Sequence, residues 1–167
     1  MARLYLLLGA NLGEPKKQLI AASKAIQSTV GKITQCSAIY STEAWGTEDE
    51  QPEYLNQVLE VQTDLEPSVV LERTQAIEKK LGRVRNKKWE ARIIDVDILF
   101  YDDWVIDSPL LSIPHPYFHV RNFALIPMNE IAPAYIHPLH NKSVRQLLEE
   151  SPDILSVKLL HSQEHEF

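Results

Sequence analysis

The sequence predicts an α+β domain with a ferredoxin-like βαββαβ core and a C-terminal extension. Segments with a two-residue apolar period and segments with helical apolar spacing occur in the order strand, helix, strand, strand, helix, strand. That order is the split βαβ pattern, which gives an antiparallel sheet with its helices on one face. A chain of 167 residues with 44% hydrophobic content can form one such core, so we expect a single domain over 1–160 and a frayed tail over 161–167.

The first half of the chain supplies a strand, a helix and a second strand. Residues 3–8 are an apolar run typical of a buried strand, and the predicted turn GANLGEP follows. Partial alternation over 32–40 predicts the second strand, and the polar segment 42–53 is expected to be a loop. Between them, a helix is indicated by four apolar residues at helical spacing, Leu19, Ala22, Ile26 and Val30.

The second half supplies the remaining elements. Residues 54–62 alternate as a third strand, and the helix Pro67–Gly82 has a proline at its start and a glycine at its end. A short helix is expected near residues 117–126 of the Pro-rich extension. Ser143 and Gln146 have the spacing of a capping box ahead of a last helix.

Composition excludes several classes of protein. The single cysteine, Cys36, excludes an internal disulfide and indicates a reducing compartment, so we expect a cytoplasmic protein. No segment approaches the roughly 18 apolar residues of a membrane span. The net charge of -6 argues against nucleic acid or an anionic membrane as a partner. We expect a monomer.

The fourth predicted strand, within ARIIDVDILFYDD at 91–103, carries two aspartates that strands usually avoid. A two-residue period places Asp95 and Asp97 on one face, about 7 Å apart. At that distance the two charges repel by about 2 kcal/mol at an effective dielectric near 20. A divalent cation would offset the repulsion, whereas the alternative is a solvated outer face of a half-buried strand. The other face is expected to be the core face, formed by Ile94, Val96, Ile98 and Phe100.

A basic segment directly precedes this strand. Residues 83–92 contain five basic residues and one acidic residue in an otherwise acidic chain. Carboxylates that hold magnesium next to guanidinium groups that bind phosphate are the parts that phosphoryl transfer requires. Taken singly, each of these residues is more simply explained by a surface ion pair or by packing; the set favours a site. It consists of Glu78, Arg83, Arg85, Trp89, Arg92, Asp95 and Asp97.

Other motifs are weak. The stretch LGANLGEPKK lacks both nucleotide-binding glycine patterns, so Gly9 and Gly13 are expected to be turn formers. His115 and His119 are four residues apart, but Pro116 argues against a continuous helix and hence against a zinc site. The histidines further along, His137 among them, are expected at the surface.

Three stretches resemble one known family, the 6-hydroxymethyl-7,8-dihydropterin pyrophosphokinases of folate biosynthesis. The similar stretches are GRVRNKKWEARIIDVDILFYDD, QPEYLNQVLEVQT and IPHPYFHVRNFALIPM. The resemblance extends from LGANLG to NEIAP, and the segment R-x-x-D-x-D-I-L is its most specific part. It implies an ATP-dependent diphosphate transfer to the pterin hydroxymethyl group, with AMP released and two Mg²⁺ ions bound.

The resemblance also implies roles for individual residues. Asp95 and Asp97 would bind the two metal ions, and together with Arg83 and Arg92 they would form the catalytic group. Nucleotide contacts are implied for Gln75, Glu78, Arg83, Arg85, Trp89, Arg92, Ile98, Ser112, His115 and Arg121. Pterin contacts are implied for Thr42, Tyr54, Asn56, Trp89 and Phe123.

The chain departs from the family pattern without losing a metal ligand. Tyr117 follows His115-Pro116 where the family has an arginine, which puts one nucleotide contact in doubt. Ala44 stands near the place of a usual proline, and Ser112 replaces a common threonine. Two other functions remain open: an Asp-x-Asp enzyme acting on nucleotide-sugars, which needs a larger nucleotide domain, and a non-enzymatic ferredoxin-like binding module.

Overall fold

The structure is a computed structural model, and it describes residues 1–11, 13–42, 54–82 and 94–160. The strands are β1 (Ala2–Ala10), β2 (Lys32–Cys36), β3 (Tyr40–Thr42), β4 (Tyr54–Thr63), β5 (Ile94–Tyr101), β6 (Ile106–Asp107), β7 (Ser112–Ile113) and β8 (Val157–Leu159). The helices are α1 (Pro15–Thr29), α2 (Pro67–Gly82), α3 (Asn122–Ile131) and α4 (Val144–Glu150), and a 3₁₀ turn covers Phe118–Val120.

A six-stranded antiparallel sheet forms the centre of the domain. Its order is β5-β1-β4-β3-β8, and β2 pairs with β4 beside β3. The expected strand over 32–40 is therefore two strands, separated at Ser37. The Ser37 hydroxyl accepts a hydrogen bond from the Val58 N–H at 3.0 Å, and its carbonyl accepts one from the Gln57 side chain at 2.8 Å. These contacts hold the interruption against β4.

Helices α1 and α2 cover one face of the sheet, as the sequence predicts. The helical stripe Leu19, Ala22 and Ile26 is completely buried, and so is Val70 of α2. Each helix has a proline in its first turn, where a missing N–H is tolerated because it would have no helical partner. The observed bounds of α2, Pro67–Gly82, are those predicted.

The C-terminal extension covers the opposite face, so the expectation of helices on one face only is wrong. The 3₁₀ turn, α3 and α4 pack there in a second core around Tyr5, Phe100, Phe118 and Leu125. This second layer forms because β1, β4 and β5 are apolar on both faces over part of their length, and each face needs a cover. The capping box of α4 forms as predicted, with Ser143 accepting from the Gln146 N–H.

A register shift in β5 changes which face Phe100 occupies. Tyr5 pairs with Phe100, whereas the next residue of β1, Leu6, pairs with Ile98, so Leu99 is an extra residue in β5. An extra residue inverts the alternation beyond it. Ile94, Val96 and Ile98 lie in the α1/α2 core as predicted, but Phe100 lies in the second core, where its ring contacts that of Phe118 edge-on at 4.9 Å.

His137 lies in the second core and not at the surface. His137 is 1% exposed, so its predicted surface position is wrong. Its ring packs against Phe100 and Phe118, and its Nδ1 accepts hydrogen bonds from the N–H groups of Leu139 and His140.

Among the described helices, none has the length and apolar character needed to cross a membrane.

Candidate active site

A cavity of about 270 Å³ lies on the sheet face that carries the two aspartates, beside the second core. Strands β1, β3, β4 and β5 contribute its floor and one wall. The start of α3 and the chain that leads into β8 close it from the other side. Its lining residues are Leu7, Gly9, Thr42, Tyr54, Asn56, Asp95, Asp97, Arg121, Phe123 and Leu155.

The two carboxylates share the cavity face, as the strand period predicts. Asp95 pairs with Gly9 and Asp97 with Leu7 across the β1–β5 ladder, so both side chains stand on the floor next to β1. Both are half-buried, whereas their neighbour Val96 is 5% exposed in the opposite core. The alternation of buried apolar and half-buried acidic residues thus results from one strand separating core from cavity.

Gly9 provides open floor between a carboxylate and an amide. It pairs with Asp95 on one side and with Asn56 on the other, which sets these three residues side by side across three strands. A Cβ at Gly9 would lie 3.0 Å from Asn56 Nδ2, an approach too tight for an ordinary contact. The expectation that Gly9 forms a turn is wrong, because β1 continues to Ala10. Gly13, with φ of 70°, is the turn residue.

Arg121 and Phe123, at the start of α3, line the cavity. The Arg121 guanidinium carbon lies 5.7 Å from the ring centroid of Phe123 and 4.9 Å from that of Tyr117. Both distances are within the range of cation–π attraction. Phe123 and the β4 residue Tyr54 both line the cavity, and both are half-buried. The arginine is therefore held at the cavity wall between a cavity ring and an exposed ring.

His115 lies close to this arginine. The Nδ1 of the His115 ring accepts a hydrogen bond from the Tyr117 N–H at 3.1 Å, and the His115 backbone N–H donates to the Leu99 carbonyl at 3.0 Å. Burial, followed by the positive charge of Arg121, lowers the pKa of His115 below its ordinary value of 6.5. The ring is therefore neutral at pH 7, and because Nδ1 is an acceptor the proton is on Nε2.

Glu78 of α2 reaches the aspartate strand from the far side of the sheet. Its Oε2 accepts a hydrogen bond from the Val96 N–H at 2.7 Å. Val96 stands between Asp95 and Asp97, so this bond fixes the backbone on which both carboxylates are carried. A charged acceptor makes such a bond stronger than a neutral one would be.

The family comparison agrees with this geometry. Residues 5–133 match the family model of 7,8-dihydro-6-hydroxymethylpterin-pyrophosphokinase. The chain belongs to this family. It is therefore a pyrophosphokinase, a transferase of diphosphate groups, and the resemblance identified from the sequence is confirmed.

Individual relatives cover most of the chain. The 2-amino-4-hydroxy-6-hydroxymethyldihydropteridine pyrophosphokinase of Aquifex aeolicus is 38% identical over 151 residues, which are 90% of this chain and 93% of the relative. The enzyme of the same name from Haemophilus influenzae is 37% identical over 95% of this chain and 99% of its own length.

Solved structures share the fold. A variant of Plasmodium falciparum HPPK-DHPS with SDX-DHP superposes with a TM-score of 0.73 over 89% of this chain, at 18% identity. The wild-type protein with the same ligand gives 0.69 over 90% of this chain. This chain spans 45% and 43% of the length of those two structures. At this identity the likeness supports the α+β fold with its antiparallel sheet.

Several of the predicted site residues of this pyrophosphokinase line the cavity. Six residues predicted for pterin or metal line it, and so does Arg121; the six are Thr42, Tyr54, Asn56, Asp95, Asp97 and Phe123. The Thr42 hydroxyl is buried and has no hydrogen-bond partner among the described residues. An unsatisfied buried hydroxyl in a cavity wall is suited to a polar ligand atom.

Other predicted nucleotide residues lie outside the cavity. Gln75 is exposed on α2, and Ser112 lies in β7. The Ile98 side chain is 6% exposed in the α1/α2 core, so only its backbone is available to a ligand. Four predicted residues fall outside the described ranges, and their roles remain predictions: Arg83, Arg85, Trp89 and Arg92.

Three lining residues were missed by the sequence argument. Leu7 and Gly9 belong to a strand that looks buried on both sides, and only their pairing with Asp97 and Asp95 identifies them. Leu155 lies in a C-terminal stretch with few apolar residues at a recognisable period. Its place in the cavity depends on contacts with distant parts of the chain.

Proposed function

We propose that this pyrophosphokinase transfers the diphosphate group of ATP to the hydroxymethyl oxygen of 6-hydroxymethyl-7,8-dihydropterin and releases AMP, a step of folate biosynthesis. One observation carries the proposal. Two carboxylates suited to magnesium and an amide with two aromatic rings suited to a flat heterocycle line the same cavity. The reaction needs those two half-sites next to each other, because the pterin hydroxyl must reach a metal-bound phosphate.

The aromatic half of the cavity is the proposed pterin subsite. Phe123 and Tyr54 enclose the ring system between their faces, since offset stacking favours flat aromatic ligands. The Asn56 side chain, 6% exposed, presents both a donor and an acceptor to the polar edge of the ring. The buried Thr42 hydroxyl, which has no partner within the described part of the chain, supplies one more hydrogen bond. Burying polar ring atoms without such partners would cost binding free energy.

The acidic half is the proposed metal subsite, and its donors fit magnesium. Among the described residues, no group of three or more His, Cys, Asp or Glu side chains is arranged to hold a metal. A pair of carboxylates on open cavity floor is what magnesium uses when phosphate oxygens and water complete its shell. We infer that Asp95 and Asp97 hold two such ions, which, when bound, neutralise charge on the triphosphate.

We propose that the side of the cavity formed by Arg121, with His115 nearby, orients the triphosphate. Arg121, fixed by its two ring contacts, donates to phosphate oxygens, and neutral His115 donates from Nε2. Arg83 and Arg92 are proposed to add positive charge during transfer. The hydroxymethyl oxygen forms a bond to the β-phosphorus and loses its proton to solvent, while the bond from that phosphorus to the α,β-bridging oxygen breaks. AMP leaves with the bridging oxygen and its electron pair.

The chain as a whole fits a small intracellular enzyme. We infer a ferredoxin-like core, because β5, β1, β4 and β2 are adjacent in the order in which a βαββαβ unit places its fourth, first, third and second strands. We further infer a cytoplasmic monomer, from the single half-buried cysteine and from substrates that are small molecules.

The test of this function is product analysis. Protein, ATP, Mg²⁺ and 6-hydroxymethyl-7,8-dihydropterin are incubated together, and nucleotides are separated by chromatography. We expect AMP and the pterin diphosphate in equal amounts, both dependent on pterin and on Mg²⁺. ADP as the product would indicate transfer of a single phosphate instead. Pterin binding without any nucleotide turnover would support the binding-module alternative.

A further inference from the structure

The chain between α4 and β8 is extended and turns alternate side chains inward. Asp153, Leu155 and Val157 are half-buried, whereas the intervening residues face solvent. Ile154 is 96% exposed, and its neighbour Leu155 lines the cavity. Residues 151–159 are called the C-terminal strap below.

The strap is fixed to both walls of the cavity. At one end β8 adds to the edge of β3, with Val157 opposite Thr42. At the other end, Asp153 Oδ2 accepts a hydrogen bond from the Asn122 N–H at 2.7 Å, and the Asp153 carbonyl accepts one from the Asn122 side chain at 3.3 Å. Asn122 is the first residue of α3 and precedes Phe123 in the cavity wall.

Asp153 also sets the position of Leu155 directly. Its Oδ1 accepts a hydrogen bond from the Leu155 N–H at 2.9 Å, so one carboxylate holds both the start of α3 and the strap. The residue before α3, Arg121, gives that helix no side-chain cap. A carboxylate at this end of a helix is favourable, because it meets free N–H groups and the positive end of the helix dipole.

We propose that Leu155 limits the size of the pterin that the cavity accepts and that Asp153 is the positioning residue that holds it there. The inference rests on the proposed function, since it takes the ligand of this subsite to be a pterin. Leu155 has only van der Waals contact to offer a ligand, and its backbone is held at Asp153 on one side and at β8 on the other. A wall fixed in this way discriminates by shape, and removing it makes room for a larger ring substituent.

The experiment measures pterin binding and needs no turnover. Dissociation constants are measured by pterin fluorescence for 6-hydroxymethylpterin and for a set of propyl-substituted pterins. Each pterin of the set carries a single propyl group, and the ring position of that group differs from one pterin to the next. The proteins are wild type, Leu155→Ala and Ile154→Ala. Ile154→Ala is the matched control, because it shortens an aliphatic side chain one residue away that faces solvent.

Leu155→Ala should weaken the preference for the unsubstituted pterin over at least one propyl pterin by about tenfold, the scale of hydrophobic-pocket discrimination. Ile154→Ala should keep the wild-type preference. Unchanged preferences in Leu155→Ala at every ring position would overturn the inference while leaving the proposed function standing. Failure of wild type to bind 6-hydroxymethylpterin would overturn both.

The positioning role of Asp153 is tested by the same pterin preference, measured in Asp153 variants. Asp153→Ala should shift the same preference in the direction of Leu155→Ala, and Asp153→Asn, which keeps one acceptor oxygen, should shift it less. Leu147→Ala, at a buried residue of α4 in the second core, is the control for general destabilisation. It should weaken the binding of all the pterins to the same extent. A preference in Asp153→Ala equal to that of wild type, with the thermal midpoint lowered as in Leu147→Ala, would show that Asp153 acts on stability alone.

Discussion

The carboxylate of Glu78 accepts a 2.7 Å hydrogen bond from the N–H of Val96. Glu78 belongs to α2 on one face of the sheet, and Val96 lies between Asp95 and Asp97, whose side chains are on the opposite face. The bond therefore holds the backbone of the aspartate strand from the helix side. Glu78→Ala removes the acceptor from a half-buried site, at a cost of about 1 to 3 kcal/mol in unfolding free energy, and it frees the β5 backbone. We expect the rate of AMP formation to fall at saturating substrates. Urea unfolding and steady-state kinetics measure the two effects.

Glu78→Gln separates position from charge. The amide oxygen of glutamine accepts the same bond from the Val96 N–H, although more weakly than a carboxylate does. We therefore expect Glu78→Gln to recover most of the rate lost in Glu78→Ala. Equal losses in the two variants would show instead that the negative charge of Glu78 matters to the substrate, as the family resemblance implies.

Asp97→Ala should abolish AMP formation and leave the fold intact. The side chain stands on the cavity floor and has no place in either core, and its loss removes one of two like charges on that floor. We expect an unchanged far-ultraviolet circular dichroism spectrum. Asp107→Ala, an exposed aspartate in β6, is the matched control and should keep full activity. Turnover retained by Asp97→Ala in Mg²⁺ would contradict the metal assignment.

Gly9→Ala should weaken pterin binding more than it affects stability. The added methyl group would lie 3.0 Å from Asn56 Nδ2, and the Asn56 side chain must move to admit it. We expect the dissociation constant for 6-hydroxymethylpterin to rise about tenfold, the scale of one displaced hydrogen bond. ATP affinity should change little, because the position proposed for the triphosphate is beside Arg121 and His115 and not beside Asn56.

Gly13→Ala gives the opposite signature and serves as the control. Its φ of 70° is strained for alanine, whereas the described residues beyond its chain neighbours place no atom within 4 Å of the added methyl group. It should lower the thermal midpoint and leave pterin affinity unchanged. If both glycine variants lost pterin affinity in proportion to their loss of stability, the contact with Asn56 would not be the cause.

The parts of the fold and site that depend on local patterns were predictable from the sequence. The period of β5 placed Asp95 and Asp97 together without knowledge of the fold, because alternation in a strand is fixed by backbone geometry. The helices α1 and α2 were predictable for the same reason, since each has an apolar stripe and a proline at its start.

The parts that depend on long-range pairing were not predictable in this way. Phe100 changes face because of one extra residue in β5, and nothing local to Leu99 indicates it. Gly9 reads as a turn glycine until β1 is paired on both sides with Asn56 and Asp95. Leu155 reaches the cavity through the pairing of β8 with β3 and through the hydrogen bonds of Asp153, which is 31 residues from its partner Asn122.

The ring of Tyr117 takes part in holding Arg121. Tyr117→Ala removes a cation–π contact at an exposed site, an interaction of about 0.5 to 1 kcal/mol, so we expect KM for ATP to rise roughly two- to fivefold. Tyr117→Phe keeps the ring and should keep the wild-type KM, which the same steady-state assay measures. A wild-type KM in Tyr117→Ala would show that the Phe123 contact alone positions the arginine.

His137 should make the protein less stable in weak acid. Burial, followed by the charges of His140 and His119, lowers the pKa of His137 from 6.5 to about 4 in the folded state. The unfolded chain then takes up the proton first, so the stabilisation from neutral His137 is complete above about pH 6.5 and is lost as pH falls towards 4. At about 1.4 kcal/mol per pKa unit the loss is at most about 3 kcal/mol.

Urea unfolding at pH 7.5 and pH 5 measures this loss against a variant without the titrating ring. His137→Asn keeps an acceptor near the Leu139 and His140 N–H groups but does not titrate. It should be less stable than wild type at pH 7.5, because its contact with the Phe118 ring is smaller, and the difference should narrow at pH 5. The His119 ring also has a pKa lowered by burial and by His140, so His119→Asn is measured in parallel. Parallel curves for wild type and His137→Asn would assign the acid sensitivity to His119 or to the carboxylates.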